Sequence, residues 1–185
     1  MAIRKIGTPL TDEVVESLHA GDEVAISGVI YQARDAAHKR LVALIEAGEE
    51  LPFDLAGAVV FYFGPSPAKP GAVIGSVSPT TSGRMDAYAP LLIQKGLKGM
   101  IGKGLRGDAV KQAMQQHKAV YFAATAGAGA LLAKRIISYQ VIAWPELGAE
   151  AVGRLEVVDL PAVVVIDCHG EDLYASRRAQ YAKQP

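Results

Sequence analysis

The sequence predicts a layered α/β domain, with two sheets and helices on one side of them, rather than a simple doubly wound sheet. Three observations lead there. Short β-branched or aromatic runs outnumber helical stretches by roughly two to one. Some of those runs alternate with helices in β-α-β order, whereas those near the ends of the chain read as antiparallel additions. The chain has 185 residues, half of them hydrophobic and 21% charged, which is enough to bury a real core. Residues 1–185 are therefore read as a single domain, with the polar stretch 171–185, EDLYASRRAQYAKQP, as a tail.

The elements follow in order. Thr11 is placed to cap a helix, TDEVVESLHA, that stops at Gly21. EVAISGVIYQA reads as a strand pair or one bent strand, with Gly28 marking a bulge or kink. Asp35 is placed to cap the next helix, whose apolar stripe is Ala36, Leu41, Leu44 and Ile45 before Gly48. AVVFYFG is strand-like, and the three prolines of GPSPAKPGA forbid regular structure after it. AVIGSV then reads as a buried strand, and MDAYAPLLIQKG as a helix ending near Gly96. MIG, AVYFAAT, IISYQVIAW, RLEVVDL and AVVVID complete the strands, with helices RGDAVKQAMQQHK and GALLAKR between them.

Composition narrows the function. Lys+Arg and Asp+Glu both total 19, so no global field recruits nucleic acid or a membrane surface, and any anion site must be local. The longest uncharged run, from Ala119 to Ala133, is broken by glycines and too short to span a bilayer. Met1 is followed by charged residues rather than an apolar leader, so a cytoplasmic setting is expected. The single cysteine, Cys168, excludes an internal disulfide and any Cys-rich metal cluster made by this chain alone.

Polar groups collect in a few places. In ARDAAHKR, Arg34 sits where a strand hands over to a helix, and its planar fork suits a carboxylate; the same residues also read as a solvated helix start. In TTSGR, Thr80, Thr81 and Ser82 supply hydroxyls, and Gly83 lets a ligand approach the backbone. Arg84 there opposes the helix dipole unless an anion is present. In IGKG, Lys103 lies between glycines, without the GxxxxGK[ST] pattern of a phosphate loop. TAGAGALLAKR lacks a full dinucleotide fingerprint and reads as close packing or extra backbone donors, and DCHG reads as packing plus a turn. Arg34, Arg84 and Lys103 thus each follow the C-terminal end of a strand, where open α/β sheets place ligands. A small dianion such as a dicarboxylate would engage all three.

The ordered runs RDAAHKR, GPSPAKPG, SPTTSGRMD, GMIGKG, HKAVYFAATAGAGALLAKRI and WPELGAEAV resemble the β subunit, or C-terminal domain in single-chain forms, of class I fumarate hydratase and L-tartrate dehydratase. The resemblance covers about residues 7–170 and leans toward fumarate hydratase. It implies a three-layer β/β/α "swivelling" fold with mixed sheets, and reversible hydration of fumarate to (S)-malate. It also implies a [4Fe–4S] cluster held by three cysteines of a partner α subunit, its fourth iron a Lewis acid, in a heterotetramer of two α and two β chains. By motif, Arg34, Arg84 and Lys103 would hold the substrate carboxylates, with Thr81 and the backbone at Gly83 assisting. Thr80 matches the residue that takes the C3 proton, a demanding role for a hydroxyl unless Lys103 stabilises its alkoxide. Tartrate dehydration and a non-catalytic anion-binding module stand as the alternatives.

Overall fold

The structure, a computed structural model, describes residues 3–124 and 128–181. It is a mixed α/β fold built on one seven-stranded mixed sheet. In chain order the elements are β1 (Arg4–Gly7), α1 (Asp12–Glu16), β2 (Glu23–Gln32), α2 (Asp35–Ala47) and β3 (Val59–Phe61). A 3-10 turn (Ser82–Met85), α3 (Ala89–Gln94), β4 (Gly99–Gly102), α4 (Asp108–His117) and β5 (Val120–Ala123) follow. The chain ends with α5 (Gly129–Ala133), β6 (Ile136–Ala143), a second 3-10 segment (Pro145–Glu150), β7 (Val152–Ile166) and α6 (Leu173–Tyr181).

The sheet closes on itself. β2, β3, β4 and β5 pair side by side in parallel, β5 pairs antiparallel with β7, and β7 returns to pair antiparallel with β2. β1 and β6 are added at the sides of β2 and β7. Where the sequence shows two short runs, RLEVVDL and AVVVID, the chain makes one 15-residue strand. That length lets β7 carry β2 along one edge and both β6 and β5 along the other, which joins the expected two sheets into one.

The bend expected at Gly28 is present, with φ +115° and a register shift between Ile26 and Gly28. A Cβ at Gly28 would lie 2.5 Å from Thr8 Oγ1, so only glycine fits this kink. Opposite it, Asp159 takes a positive φ of 49° and donates its N–H to Ser27 Oγ at 2.9 Å.

Alternation along the strands builds two cores. Ile26, Ile30, Val59, Phe61, Val120, Phe122, Leu155 and Val164 form one cluster, with Val15, Ile74, Val77 and Leu132 from outside the strands. Val60, Met100, Tyr121 and Val165 face the other way and pack with Leu41, Leu92, Ile93 and Met114 of α2, α3 and α4. The central strands are thus apolar on both faces, which is why their sequences read as continuous runs.

Two local expectations are corrected. AVIGSV forms no strand: Ile74 and Val77 are buried, but the segment folds back so that Ser66 N–H bonds Ser76 O (3.1 Å) instead of a sheet neighbour. The first helix ends at Glu16 rather than near Gly21, although Thr11 Oγ1 does accept the Val14 N–H at 3.3 Å. In the polar tail, Asp172 caps the start of α6 by accepting from Tyr174 and Ala175, and it pairs with Lys111 of α4 at 2.6 Å. Among the described residues, no helix is long and apolar enough to cross a membrane.

Candidate functional site

The site is assembled at the C-terminal ends of β3 and β4. Thr80 N–H donates to the Tyr62 carbonyl just past β3 (2.7 Å), and Lys103 N–H donates to the Thr80 carbonyl (3.3 Å). Ser82 N–H returns a bond to the Lys103 carbonyl (2.9 Å), so Thr81 and Lys103 form an isolated parallel bridge. Paired positions in a ladder point to the same side, and both Thr81 and Lys103 are exposed, whereas Thr80 is half-buried. Ser82 turns inward, its Oγ bonded to the Tyr121 hydroxyl at 2.9 Å. Burial pushes the Tyr121 phenol pKa up, so it stays protonated.

Arg84 lies in the 3-10 turn, not in the first turn of an α-helix as the sequence predicted; α3 begins only at Ala89. The helix-dipole argument for an anion at TTSGR therefore falls, because four residues of 3-10 turn align few peptide dipoles. What meets Arg84 is a side chain. Its Nη2 donates to Asp35 Oδ2 at 2.8 Å. Asp35 does not cap α2, the role the sequence gave it: Arg34 is the N-cap residue, with no side-chain cap bond, and Asp35 is the first helical residue. Its other oxygen lies 4.0 Å from Arg34 Nε, so one carboxylate stands between the two arginines.

The α2 start is served instead by Glu150, whose Oε2 accepts the Ala36 N–H at 3.1 Å while Oε1 pairs with Arg34 Nη2 at 3.1 Å. His38 is fully buried with its ring edge-on to Tyr62. Its Nδ1 bonds the Arg34 carbonyl at 2.8 Å, and burial pushes its pKa down to about 4. Arg34 and Arg84 are thus linked through Asp35, Thr80 and Thr81 are linked to Lys103 by the bridge, and the Ser82–Met85 turn joins the two halves.

Two surface cavities, about 660 Å³ beside Val73 and Ala133 and about 550 Å³ beside Leu51 and Phe53, contain none of these cations. Arg84 and Lys103 are exposed, and Arg34 is half-buried against Glu150. DCHG sits elsewhere, with Cys168 against Val15 and His169 Nε2 2.9 Å from the Glu16 carbonyl. Of the glycine-rich stretch, 125–127 lies outside the described residues. Gly129 packs against the loop before Thr80, where a Cβ would come within 2.5 Å of Ser76 and Ser78 Oγ.

The family described as Fumarase C-terminus matches residues 3–177. The chain belongs to that family. This fumarase C-terminal chain is 39% identical over 153 residues to the anaerobic class I fumarate hydratase of Escherichia coli K12, an alignment covering 82% of the chain and 28% of that protein. It is 37% identical over 161 residues to fumarate hydratase 2 of Leishmania major, covering 86% of the chain and again 28% of the relative. It is 33% identical over 182 residues to the L(+)-tartrate dehydratase subunit beta of Escherichia coli K12, covering 96% of the chain and 89% of that subunit. The chain therefore spans little more than a quarter of the fumarate hydratases it matches, but nearly all of the tartrate dehydratase subunit.

Sequence reasoning missed three residues of this candidate site in the fumarase C-terminal chain. Arg106 is buried, with Nε 2.7 Å from Asp86 Oδ1 and its guanidinium over the rings of Tyr62 and Tyr121. Asp86 also accepts the Gly107 N–H, clasping the Lys103 loop to the Arg84 turn. Glu150 is the third. The only signal was that Asp86 and Glu150 lie inside the quoted runs SPTTSGRMD and WPELGAEAV.

Proposed function

We propose that this chain is the β subunit of an iron–sulfur hydro-lyase and supplies the dicarboxylate-binding half of its active site. The reaction we assign is the reversible hydration of fumarate to (S)-malate. The observation that carries this reading is the Arg34–Asp35–Arg84 relay, joined through the Ser82–Met85 turn to the Thr81–Lys103 bridge at the C-terminal ends of β3 and β4. A dicarboxylate needs a cation at each end, and arginine provides the bidentate geometry.

In this reading Arg34, Arg84 and Lys103 hold the two carboxylates, while Thr81 and the backbone at Gly83 orient them. In the dehydration direction, the C3 proton moves to the Thr80 alkoxide, the C–H electron pair forms the C2–C3 double bond, the C2 hydroxyl leaves with its C–O pair as hydroxide, and the proton that Thr80 then releases completes water and restores the alkoxide. Thr80 is fixed through its backbone to Tyr62 and Lys103, and in this reading Lys103 is the cation that would stabilise its alkoxide.

The donor set of this chain does not fit an iron–sulfur cluster. It has one cysteine, and that thiol is buried against Val15. Among the described residues, no three His, Cys, Asp or Glu side chains gather to hold a metal ion. The reading therefore puts the [4Fe–4S] cluster on an α subunit with three ligating cysteines, in a cytoplasmic heterotetramer of two α and two β chains. It also takes residues 1–185 as one three-layer β/β/α swivelling domain with a polar tail at 171–185.

Near end-to-end similarity to a tartrate dehydratase subunit supports a second reading, in which the same clamp takes L-tartrate. The experiment is to co-express the chain with its α partner, reconstitute the cluster without oxygen, and compare malate with tartrate. Faster turnover of malate is expected. Preference for tartrate selects the second reading. Dicarboxylate binding without turnover of either would reduce the chain to an anion-binding module and overturn the proposal.

A further inference from the structure

We propose that Glu150 is a positioning residue for Arg34, and that residues 144–150 form a strap that aims the Arg34 guanidinium; this rests on Arg34 being a carboxylate ligand, as proposed above. Glu150 makes two contacts at once, pairing with Arg34 Nη2 and accepting the Ala36 N–H of α2, both at 3.1 Å. One carboxylate thereby fixes the side chain to the helix that carries it.

The rest of the strap is anchored to the same helix and to the strand before it. Gln32 Nε2 donates to the Ala149 carbonyl at 2.9 Å, and Gln32 Oε1 accepts from Tyr139 at 2.8 Å. Arg40 of α2 pairs with Glu146 and lies over the Trp144 ring. Gly64 makes room: a Cβ there would lie 2.9 Å from the Ala149 carbonyl and 3.0 Å from Arg34 Nη1.

Arg34 needs such a restraint because a competitor stands beside it. Arg34 Nε and Asp35 Oδ1 are both buried, both without a hydrogen-bond partner among the described residues, and 4.0 Å apart. With Glu150 neutralised, a small rotation lets Asp35 capture the guanidinium and closes its fork to a ligand. Asp35 also holds Arg84, so that rotation would disturb the second arginine as well. Glu150 therefore acts on affinity and not on bond-making.

The test is Glu150→Gln, read in two preparations. In the holoenzyme reconstituted with the α partner, KM for the dicarboxylate should rise roughly tenfold with kcat held within about threefold. In the isolated chain, NMR should show the Arg34 Nε–H, newly bonded to Asp35, exchanging about tenfold more slowly with solvent, while the Arg106 Nε–H, held by Asp86, is unchanged. If Glu150→Gln does not fold, Glu150→Asp replaces it, because the shorter side chain keeps its charge but cannot reach both partners. A lower melting temperature with unchanged KM and unchanged Arg34 exchange would make the strap purely structural and overturn the proposal. If the wild-type holoenzyme turns over no dicarboxylate, the functional reading fails by itself, and Arg34 exchange in the isolated chain still decides the role of Glu150.

Discussion

Asp86 and Arg106 tie together the two loops that carry Arg84 and Lys103. Asp86 Oδ1 lies 2.7 Å from Arg106 Nε, and Oδ2 accepts the Gly107 N–H at 2.6 Å. The Arg106 side chain has no solvent exposure, and its Nη2 has no partner among the described residues. A buried cation with a single carboxylate partner depends heavily on that partner. Asp86→Asn should therefore cost about 3–5 kcal/mol in chemical denaturation, since it leaves the guanidinium uncompensated. Adding Arg106→Met should restore most of the loss, because an apolar side chain of similar length fits between Tyr62 and Tyr121. If Asp86→Asn leaves stability unchanged, the pair is not what clasps the loops.

His38 gives the fold a slope in pH. Burial, the dominant cause, lowers its pKa from 6.5 to about 4, so at intermediate pH the unfolded chain binds a proton that the folded chain does not. His38 therefore costs nothing above the unfolded value, and the cost grows as pH falls toward the folded value. The full loss is about 3 kcal/mol. Denaturation at pH 7 and pH 5 should show about 2 kcal/mol of this fall in the wild type and a smaller one in His38→Gln. Parallel slopes in the two proteins would mean that His38 is not the titrating group.

Gly83 and Gly102 should respond oppositely to alanine. At Gly102 a Cβ would sit 2.0 Å from Ser82 Oγ, breaking the Ser82–Tyr121 contact, so Gly102→Ala should lower the melting temperature clearly. At Gly83 the nearest atom is the Leu105 carbonyl at 3.7 Å, an ordinary contact, so the folded chain has room for the methyl. Gly83→Ala should change stability by no more than about 0.5 kcal/mol while weakening dicarboxylate binding in the assembled enzyme. Unchanged binding would remove the Gly83 backbone from the proposed site.

The contrast between what was legible and what was not follows contact distance along the chain. Arg34, Arg84 and Lys103 stood out because fixed cations at strand ends are local features, and β3, β4 and β5 because apolar strands announce themselves. Asp35 was misread because capping is a neighbourly rule, whereas its actual partner Arg84 is 49 residues away. Glu150 reaches across 114 residues to Ala36, and nothing in WPELGAEAV says so. Burial without sheet pairing, as at Ile74 and Val77, leaves the same apolar trace as a strand. Arg106 reads as a surface arginine until Tyr62 and Tyr121 are seen to enclose it. Closure of the sheet through β2 and β7 required strands more than a hundred residues apart to meet, which no periodicity encodes.

Arg84→Lys should damage the assembled enzyme even though the charge is kept. Lysine has no fork with which to hold Asp35 and a substrate carboxylate together, and Arg84 is half-exposed, with edge to spare beyond its bond to Asp35. Losing one charge-assisted hydrogen bond costs about 1.5–3 kcal/mol, so kcat/KM should fall roughly ten- to a hundredfold. Steady-state kinetics identical to wild type would reject Arg84 as a ligand.

Thr80→Val separates base from binder at Thr80. Its backbone N–H and carbonyl are both used, by Tyr62 and Lys103, so the loop does not depend on the side chain for its position. Thr80→Val removes the hydroxyl at nearly constant shape, and the fold should tolerate it. If the hydroxyl moves the C3 proton, turnover should drop by about two to four orders of magnitude, with solvent exchange at C3 falling in parallel and inhibitor affinity far less affected. If it only orients a carboxylate, the main loss should appear in binding, because such a contact is made equally in the ground and transition states. Turnover, inhibitor affinity and C3 exchange measured on one preparation decide between them. Retained exchange with weakened binding would reject Thr80 as the base and move the search to an acidic or histidine side chain on the α subunit.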